Sequence, residues 1–223
     1  MKKTRLLLAT IALSMACFTY GQEHNEHAVS ENKSGMTASF ALHELKTGNL
    51  RFLGDSLKNT DYRNQIEKTK DSQKPHTLVM TCMDSRVPPE IIFDQGIGNI
   101  FVLRVAGNVE DENMLGSMEY AVEHTGSKLL VVMGHSHCGA VKGAVQNAGS
   151  GMLTQLLDQI KPAIPADHKD PDLIEKTVKN NVKLTIADIL AKSHSIREMV
   201  DDHKIVILGA FYDIETGVVT FME

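Results

Sequence analysis

The chain has 223 residues, 42% hydrophobic and 23% charged, with a formal net charge of −5. Such a composition suits one sizeable α/β domain with a packed core. No basic block stands out, which argues against nucleic acid as a partner.

The first residues read as a targeting segment. Lys2, Lys3 and Arg5 precede an almost wholly apolar run from Leu6 to Phe18, and Thr19 and Gly21 supply small residues for a peptidase. This is the pattern of a secretory signal peptide over residues 1–21, cut after Gly21. The run is shorter than the roughly 20 residues a membrane span needs. A hydrophobic N-terminal helix is the plain alternative, set against the charged start and small-residue end. A lipoprotein anchored through Cys17 is a third reading, but Leu13-Ser14-Met15-Ala16 places the apolar residue one position too far back. The expected destination is the periplasm or the medium. Cleavage would remove three positive charges and no acids from a net charge of −5, leaving −8, and would remove Cys17. Cys82 and Cys138 would remain, as a disulfide or as part of a metal site.

Residues 22–35, with His24 and His27, are polar and read as a flexible leader. A single domain is expected over 36–223. Its first part, 36–70, is a helical arm: Phe40, Leu42, Leu45, Leu50, Phe52 and Leu53 recur at roughly helical spacing. Gly48-Asn49 predicts a break in that helix, and a second helical piece covers Asp61 to Lys70. Strands and helices then alternate. Strands are expected at 76–80, 99–105, 128–133, 204–210 and 218–222. Helices are expected at 88–94, opened by prolines, at 111–124, with acids at its start, at 138–147 running on through 152–160, at 172–191, and at 195–202 behind a serine cap. Buried apolar strands separated by helices predict a mostly parallel β-sheet flanked by helices on both faces. The last strand follows a short turn and should pair antiparallel at an edge.

The chemistry gathers at two strand ends. Cys82, Asp84 and Arg86 follow the first strand; His135 and Cys138 follow the third. Sites in open α/β sheets form outside the carboxyl ends of the strands. Two thiols and an imidazole there make a soft donor set suited to zinc. The fourth zinc position is left for water or for Asp84, the latter only if the site is closed. Arg86 can pair with Asp84 and hold it off the metal. Taken singly, Cys82 reads as a buried core thiol and His135 as a structural histidine. Their combination with Asp84 and Arg86 outweighs both.

Cys82-Met83-Asp84-Ser85-Arg86-Val87-Pro88 followed by Gly134-His135-Ser136-His137-Cys138-Gly139 resembles the β-class carbonic anhydrases, over nearly all of the mature chain. The resemblance implies reversible hydration of carbon dioxide to bicarbonate and a proton. It implies Zn2+ on Cys82, His135 and Cys138, and Asp84 with Arg86 as a catalytic dyad that orients hydroxide formed on the zinc. Gln73-Lys74-Pro75 is similar to a Gln-x-Pro of the plant-like subgroup, whose glutamine binds substrate oxygen. Phe101 and Tyr120 fall where that subgroup has pocket aromatics, Ala106 where it has an apolar wall, and Gly139 where the family has glycine. Val79 stands where the bicarbonate-inhibited subgroup carries tryptophan, which argues for the plant-like, open site. Arg104 occurs in both subgroups. His124 matches a histidine proposed as a proton relay in some relatives; a surface histidine at a helix end is the alternative. His137 receives no role.

The family also implies a homodimer or a dimer of dimers, with sites at the subunit interface and the arm reaching over the partner. No membrane span is expected in the mature protein. Three other readings compete. One is hydrolysis of a related heterocumulene, carbon disulfide or carbonyl sulfide, which members of the same fold perform. Another is a non-catalytic zinc-binding protein, which leaves Asp84, Arg86 and Gln73 without purpose. The last is a cysteine hydrolase, which gives no reason for Cys138.

Overall fold

The computed structural model describes residues 36–222. The expected targeting segment (1–21) and leader (22–35), with Cys17, His24 and His27, lie outside the described residues. Five strands form one sheet in the order β2-β1-β3-β4-β5. They are β1 (Thr77–Thr81), β2 (Ile100–Arg104), β3 (Leu129–His135), β4 (Val206–Tyr212) and β5 (Val219–Met222). The first four in space run parallel and β5 pairs antiparallel with β4, as the short turn before it requires. β1 and β3 are buried throughout, consistent with their unbroken apolar sequences.

The arm is one continuous helix, α1 (Ala38–Leu53), capped by Thr37, whose Oγ1 accepts from the Phe40 N–H. The expected break at Gly48-Asn49 does not occur. Gly48 is a point of contact instead: a Cβ there would fall 1.7 Å from the Phe93 carbonyl oxygen. Asn49, also buried, donates from Nδ2 to the Ile92 and Gly217 carbonyls and accepts from the Val219 N–H. The pair docks the arm on its own chain; its helix-breaking character is overridden by packing. α2 (Tyr62–Thr69) follows, capped by Asp61.

α3 (Pro89–Ile92) and α4 (Glu112–Glu119) come next, and α4 runs on into a π-helical turn at Tyr120–His124. The helical stretch after Cys138 is divided: α5 (Gly139–Val145) and α6 (Met152–Ile160) are separate helices. α7 spans Leu173–Lys192 and α8 spans His194–Asp201. The cap of α8 is Ser193, which accepts from Ile196 N–H, rather than Ser195.

Alternation along the strands divides the core. On one face Val79, Leu129, Val131 and Met133 pack under Ala41 and Leu45 of α1 and Ile92 and Phe93. On the other, Leu78, Met80, Leu130 and Val132 meet Met118 of α4, Val182 and Ile189 of α7, and Ile196 of α8. A third cluster joins Cys82 and Cys138 to Val141, Leu157, Ile160 and Val178. The two thiols therefore sit at the carboxyl end of the sheet in an apolar layer.

Candidate metal centre

The parallel register aligns the ends of β1 and β3, with Thr81 beside Met133. Cys82 leaves β1 as His135 closes β3, and Cys138 caps α5. All three side chains are buried, and their ligating atoms lie within 4.8 Å of one another. The sulfurs are 4.0 Å apart, far beyond the roughly 2.05 Å of a disulfide. Two thiolates each about 2.3 Å from a tetrahedral zinc would stand close to that separation.

His135 is set for ligation. Its Nδ1 donates to the Ser136 carbonyl at 2.8 Å. A carbonyl only accepts, so the proton of the neutral ring is on Nδ1 and Nε2 carries the lone pair. That Nε2 is buried and has no hydrogen-bond partner. An orphaned buried acceptor beside two thiols is a defect in a metal-free core and a donor in a metal site. The thiols agree. Cys82 is drawn down to about 4, first by the Cys138 thiol, with further help from His135 and the Gly107 N–H against the cost of burial. Cys138 is pushed up by the thiolate it faces and by burial. Two thiolates this close need a cation between them. The residues fit zinc.

Asp84 lies on the open side. Arg86 donates from Nε to its Oδ1 at 2.9 Å, from Nη2 to its Oδ2 at 2.7 Å, and from its backbone N–H to Oδ1 at 3.0 Å. This fork holds the carboxyl well below the usual carboxylate range. Asp84 Oδ2 stands 4.0 Å from His135 Nε2, beside the three-residue cluster and outside it. Arg104 donates from Nε to the Cys82 carbonyl and from Nη2 to the Asp84 carbonyl. It clamps the loop that carries both, a role its occurrence in both subgroups did not disclose. His137, at a positive φ of 56°, turns away and pairs with Glu215 at 2.8 Å.

Residues 77–219 match the family described as carbonic anhydrase. The chain is 34% identical over 183 residues to "Carbonic anhydrase 2" of Mycobacterium tuberculosis, covering 78% of this chain and 87% of that protein. A tetrameric β-carbonic anhydrase from the ascomycete Sordaria macrospora superposes with a TM-score of 0.66 at 26% identity, over 82% of this chain and 97% of the other. The chain belongs to the β-carbonic anhydrase family. A Coccomyxa β-carbonic anhydrase solved with acetazolamide aligns with a TM-score of 0.65 at 27% identity, over 77% of this chain and 82% of that one. The carbonic anhydrase described here is thus a zinc enzyme that interconverts carbon dioxide and bicarbonate.

Within one carbonic anhydrase chain the remaining site candidates are divided. Ala106 opens the 3-10 turn (Ala106–Asn108) whose Gly107 N–H donates to Cys82 Sγ at 3.3 Å, so it lies by the cluster. Gly139 is the first residue of α5, directly after Cys138. Phe101, in contrast, pairs with Leu78, four residues and roughly 13 Å of strand before Cys82. Tyr120 meets Phe101 edge-on with ring centroids 6.4 Å apart, and His124 lies 5.5 Å from Tyr120. Gln73 precedes β1, at the opposite end of that strand from Cys82. Phe101 and Tyr120 line an apolar hollow of about 430 Å³ beside β2. The Gly107 amide was missed from sequence. The sequence marks that position only by a glycine three residues past the end of β2, and a backbone N–H leaves no mark of its own.

Proposed function

We propose that this carbonic anhydrase works as an open-site enzyme. Cys82, His135 and Cys138 hold the zinc, Asp84 and Arg86 act on the attacking water, and a second copy of the chain completes the substrate pocket. The observation that carries this is the forked Asp84–Arg86 pair, 4.0 Å from the orphaned His135 Nε2. A zinc ion held there supplies a Lewis acid that brings the pKa of a water near 7.

The protein's own residues then do the following. Arg86 fixes both carboxylate oxygens of Asp84, which keeps Asp84 off the metal and leaves it as an acceptor. Asp84 takes a hydrogen bond from the attacking water and so aims its free lone pair at carbon dioxide. Ala106 walls the pocket from the same chain. Gln73, Phe101 and Tyr120 reach it from the second copy, where the amide orients substrate oxygen and the rings exclude water. His124, its ring centroid 5.5 Å from that of Tyr120, passes the released proton to buffer.

Support for the second copy comes from β2. It is an edge strand, its Ile100, Phe101, Val102 and Leu103 are only half-buried, and a hollow lies beside it. Uncovered apolar edges invite pairing. Val79 in place of the tryptophan of the bicarbonate-inhibited subgroup supports the open site. The leading segment over residues 1–21 supports export, with the enzyme acting in the periplasm or outside the cell.

Stopped-flow carbon dioxide hydration on the chain from residue 22, with zinc measured on the same sample, tests the reading. We expect about one zinc per chain in the wild type, as a single three-ligand centre implies, and turnover that rises from neutral to alkaline pH. Asp84→Asn should keep the zinc and lose most turnover. Full activity in Asp84→Asn would overturn the dyad; full zinc without turnover in the wild type would overturn the whole mechanism.

A further inference from the structure

Inside α7, Asn181 is only 1% exposed. Its Nδ2 donates to the Gly107 carbonyl at 2.8 Å. One turn later, Thr185 donates from Oγ1 to the next carbonyl, that of Asn108, at 3.2 Å. Residues four apart share a helix face, so α7 grips two successive carbonyls of one turn. The other side of the same peptide group run points at the metal centre: Gly107 N–H donates to Cys82 Sγ at 3.3 Å.

The turn needs such a grip. Gly107 has φ +69°, and a Cβ on it would fall 2.6 Å from Ile160 Cδ1. Asn108 follows at φ +45° with a buried Nδ2 that has no partner. Two consecutive left-handed residues, one of them not glycine, are strained. The turn closes on itself through one bond, from the Asn108 N–H to the Val105 carbonyl at 3.1 Å. The helix holds the Gly107 and Asn108 carbonyls, which that bond leaves free.

We propose that Asn181 is a positioning residue for the metal centre: by gripping the Gly107 carbonyl it sets the hydrogen bond that this turn donates to the Cys82 sulfur. The inference rests on Cys82 being a metal ligand. A hydrogen bond to a thiolate withdraws electron density from the sulfur, and groups one shell out from a metal both orient ligands and tune the ion. Asn181 touches neither substrate nor metal. It acts through Gly107, and since Ala106 is the preceding residue of the turn, it also sets that wall of the pocket. Thr185 supports the same turn with a longer bond.

Cobalt(II) substitution reads the Cys82 sulfur directly, through the sulfur-to-metal charge-transfer band, and chelator competition reads zinc affinity. In Asn181→Ala the band should move to lower energy and zinc should bind roughly 10-fold more weakly, the scale usual for such outer groups. Thr185→Val keeps the side-chain volume and should move both readouts the same way by less. It also serves if Asn181→Ala does not fold. Thr177→Val is the control: Thr177 is buried on the same helix and its hydroxyl bonds only to the Leu173 carbonyl, so it should lower thermal stability and leave the band in place. If Asn181→Ala and Thr185→Val bind cobalt with an unmoved band and unchanged affinity, Asn181 is merely structural and the proposal fails. If the wild type takes up cobalt with no thiolate band, the metal-ligand reading fails first, and the inference with it.

Discussion

Asp84 is tightly constrained on the open side of the centre. Three N–H groups of Arg86 reach it, and Arg104 ties down its backbone. A carboxylate held this way cannot swing toward the metal centre without breaking the fork, so on the proposed open-site reading Arg86 is what would keep Asp84 off the zinc. In Arg86→Ala, Asp84 is released. Zinc content should stay full while turnover falls by roughly 10²-fold, the usual cost of a mispositioned catalytic group. In the double variant with Asp84→Asn, the second change should cost little further, because the two residues act as one unit. Stopped-flow rates for the two singles and the double give the comparison. Losses that simply multiply would mean the residues act independently, against the dyad. This part of the site was legible in the sequence, since Cys82, Asp84 and Arg86 are spaced within five residues and keep their chemistry whatever the surrounding fold. The Gly107 amide was not legible. A backbone N–H has no sequence signature, and its importance comes from α7, more than 70 residues away in the chain.

Among the elements, the strands were the most readable, because runs such as Leu78-Val79-Met80 and Leu129 to Met133 are buried on both faces and tolerate little else. The arm was misread for a physical reason. Glycine and asparagine weaken a helix when judged by propensity, but Gly48 is where α1 touches the Phe93 backbone and Asn49 is where it is stitched to β5. Gly48→Ala therefore sets about 1 kcal/mol of helix propensity against a clash with a backbone atom that cannot rotate away. The clash should win, with a net loss of at least about 2 kcal/mol, read as a drop in Tm of roughly 4–8 °C. An unchanged or raised Tm would show that the arm is not docked as described.

The segment joining α1, α2 and α3 adds a test in acid. Asp94 is 3% exposed and at φ +45°. It accepts from Arg51 Nε at 2.5 Å and from the Lys58 and Asn59 backbone N–H groups. Burial pushes its carboxyl up, but Arg51 and the two amides outweigh that and leave it below the ordinary value. A carboxyl lowered on folding stabilises the native state above its unfolded pKa, about 4, and loses that contribution as pH falls through the folded value. Asp94→Asn should therefore be less stable than wild type at pH 7, by about 2–3 kcal/mol for a buried acceptor of this kind, with the gap narrowing below pH 4. Urea midpoints of both proteins, each compared at the same pH, measure it. A gap that stays constant on acidification would show that the charge of Asp94 is not what matters.

At the scale of the whole molecule, the single chain divides its chemistry between two ends. Cys82, His135 and Cys138 lie at the carboxyl end of the sheet. Gln73 precedes β1, and Phe101 and Tyr120 lie back along the uncovered edge of β2. No side chain spans roughly 13 Å of strand, so on the proposed reading a pocket containing both sets would be built from two chains. A symmetric pair would do this twice, each copy giving the other what it lacks. The arrangement makes a strong demand on mixed proteins. A Cys82→Ser chain keeps its aromatics and loses its metal; a Tyr120→Ala chain keeps its metal and loses part of its pocket. Each alone should be nearly inactive. Refolded together at equal amounts, they should give mixed dimers in which one site has both the intact metal of one chain and the intact tyrosine of the other, and about a quarter of the wild-type rate should return if pairing is random. Light scattering on the same samples establishes that dimers have formed. Dimers without any recovered rate would show that Tyr120 serves the site of its own chain, and a Tyr120→Ala chain fully active alone would show that it serves none. The β2 edge would then be an interface without a catalytic share, and the pocket would have to be sought among the residues around Ala106.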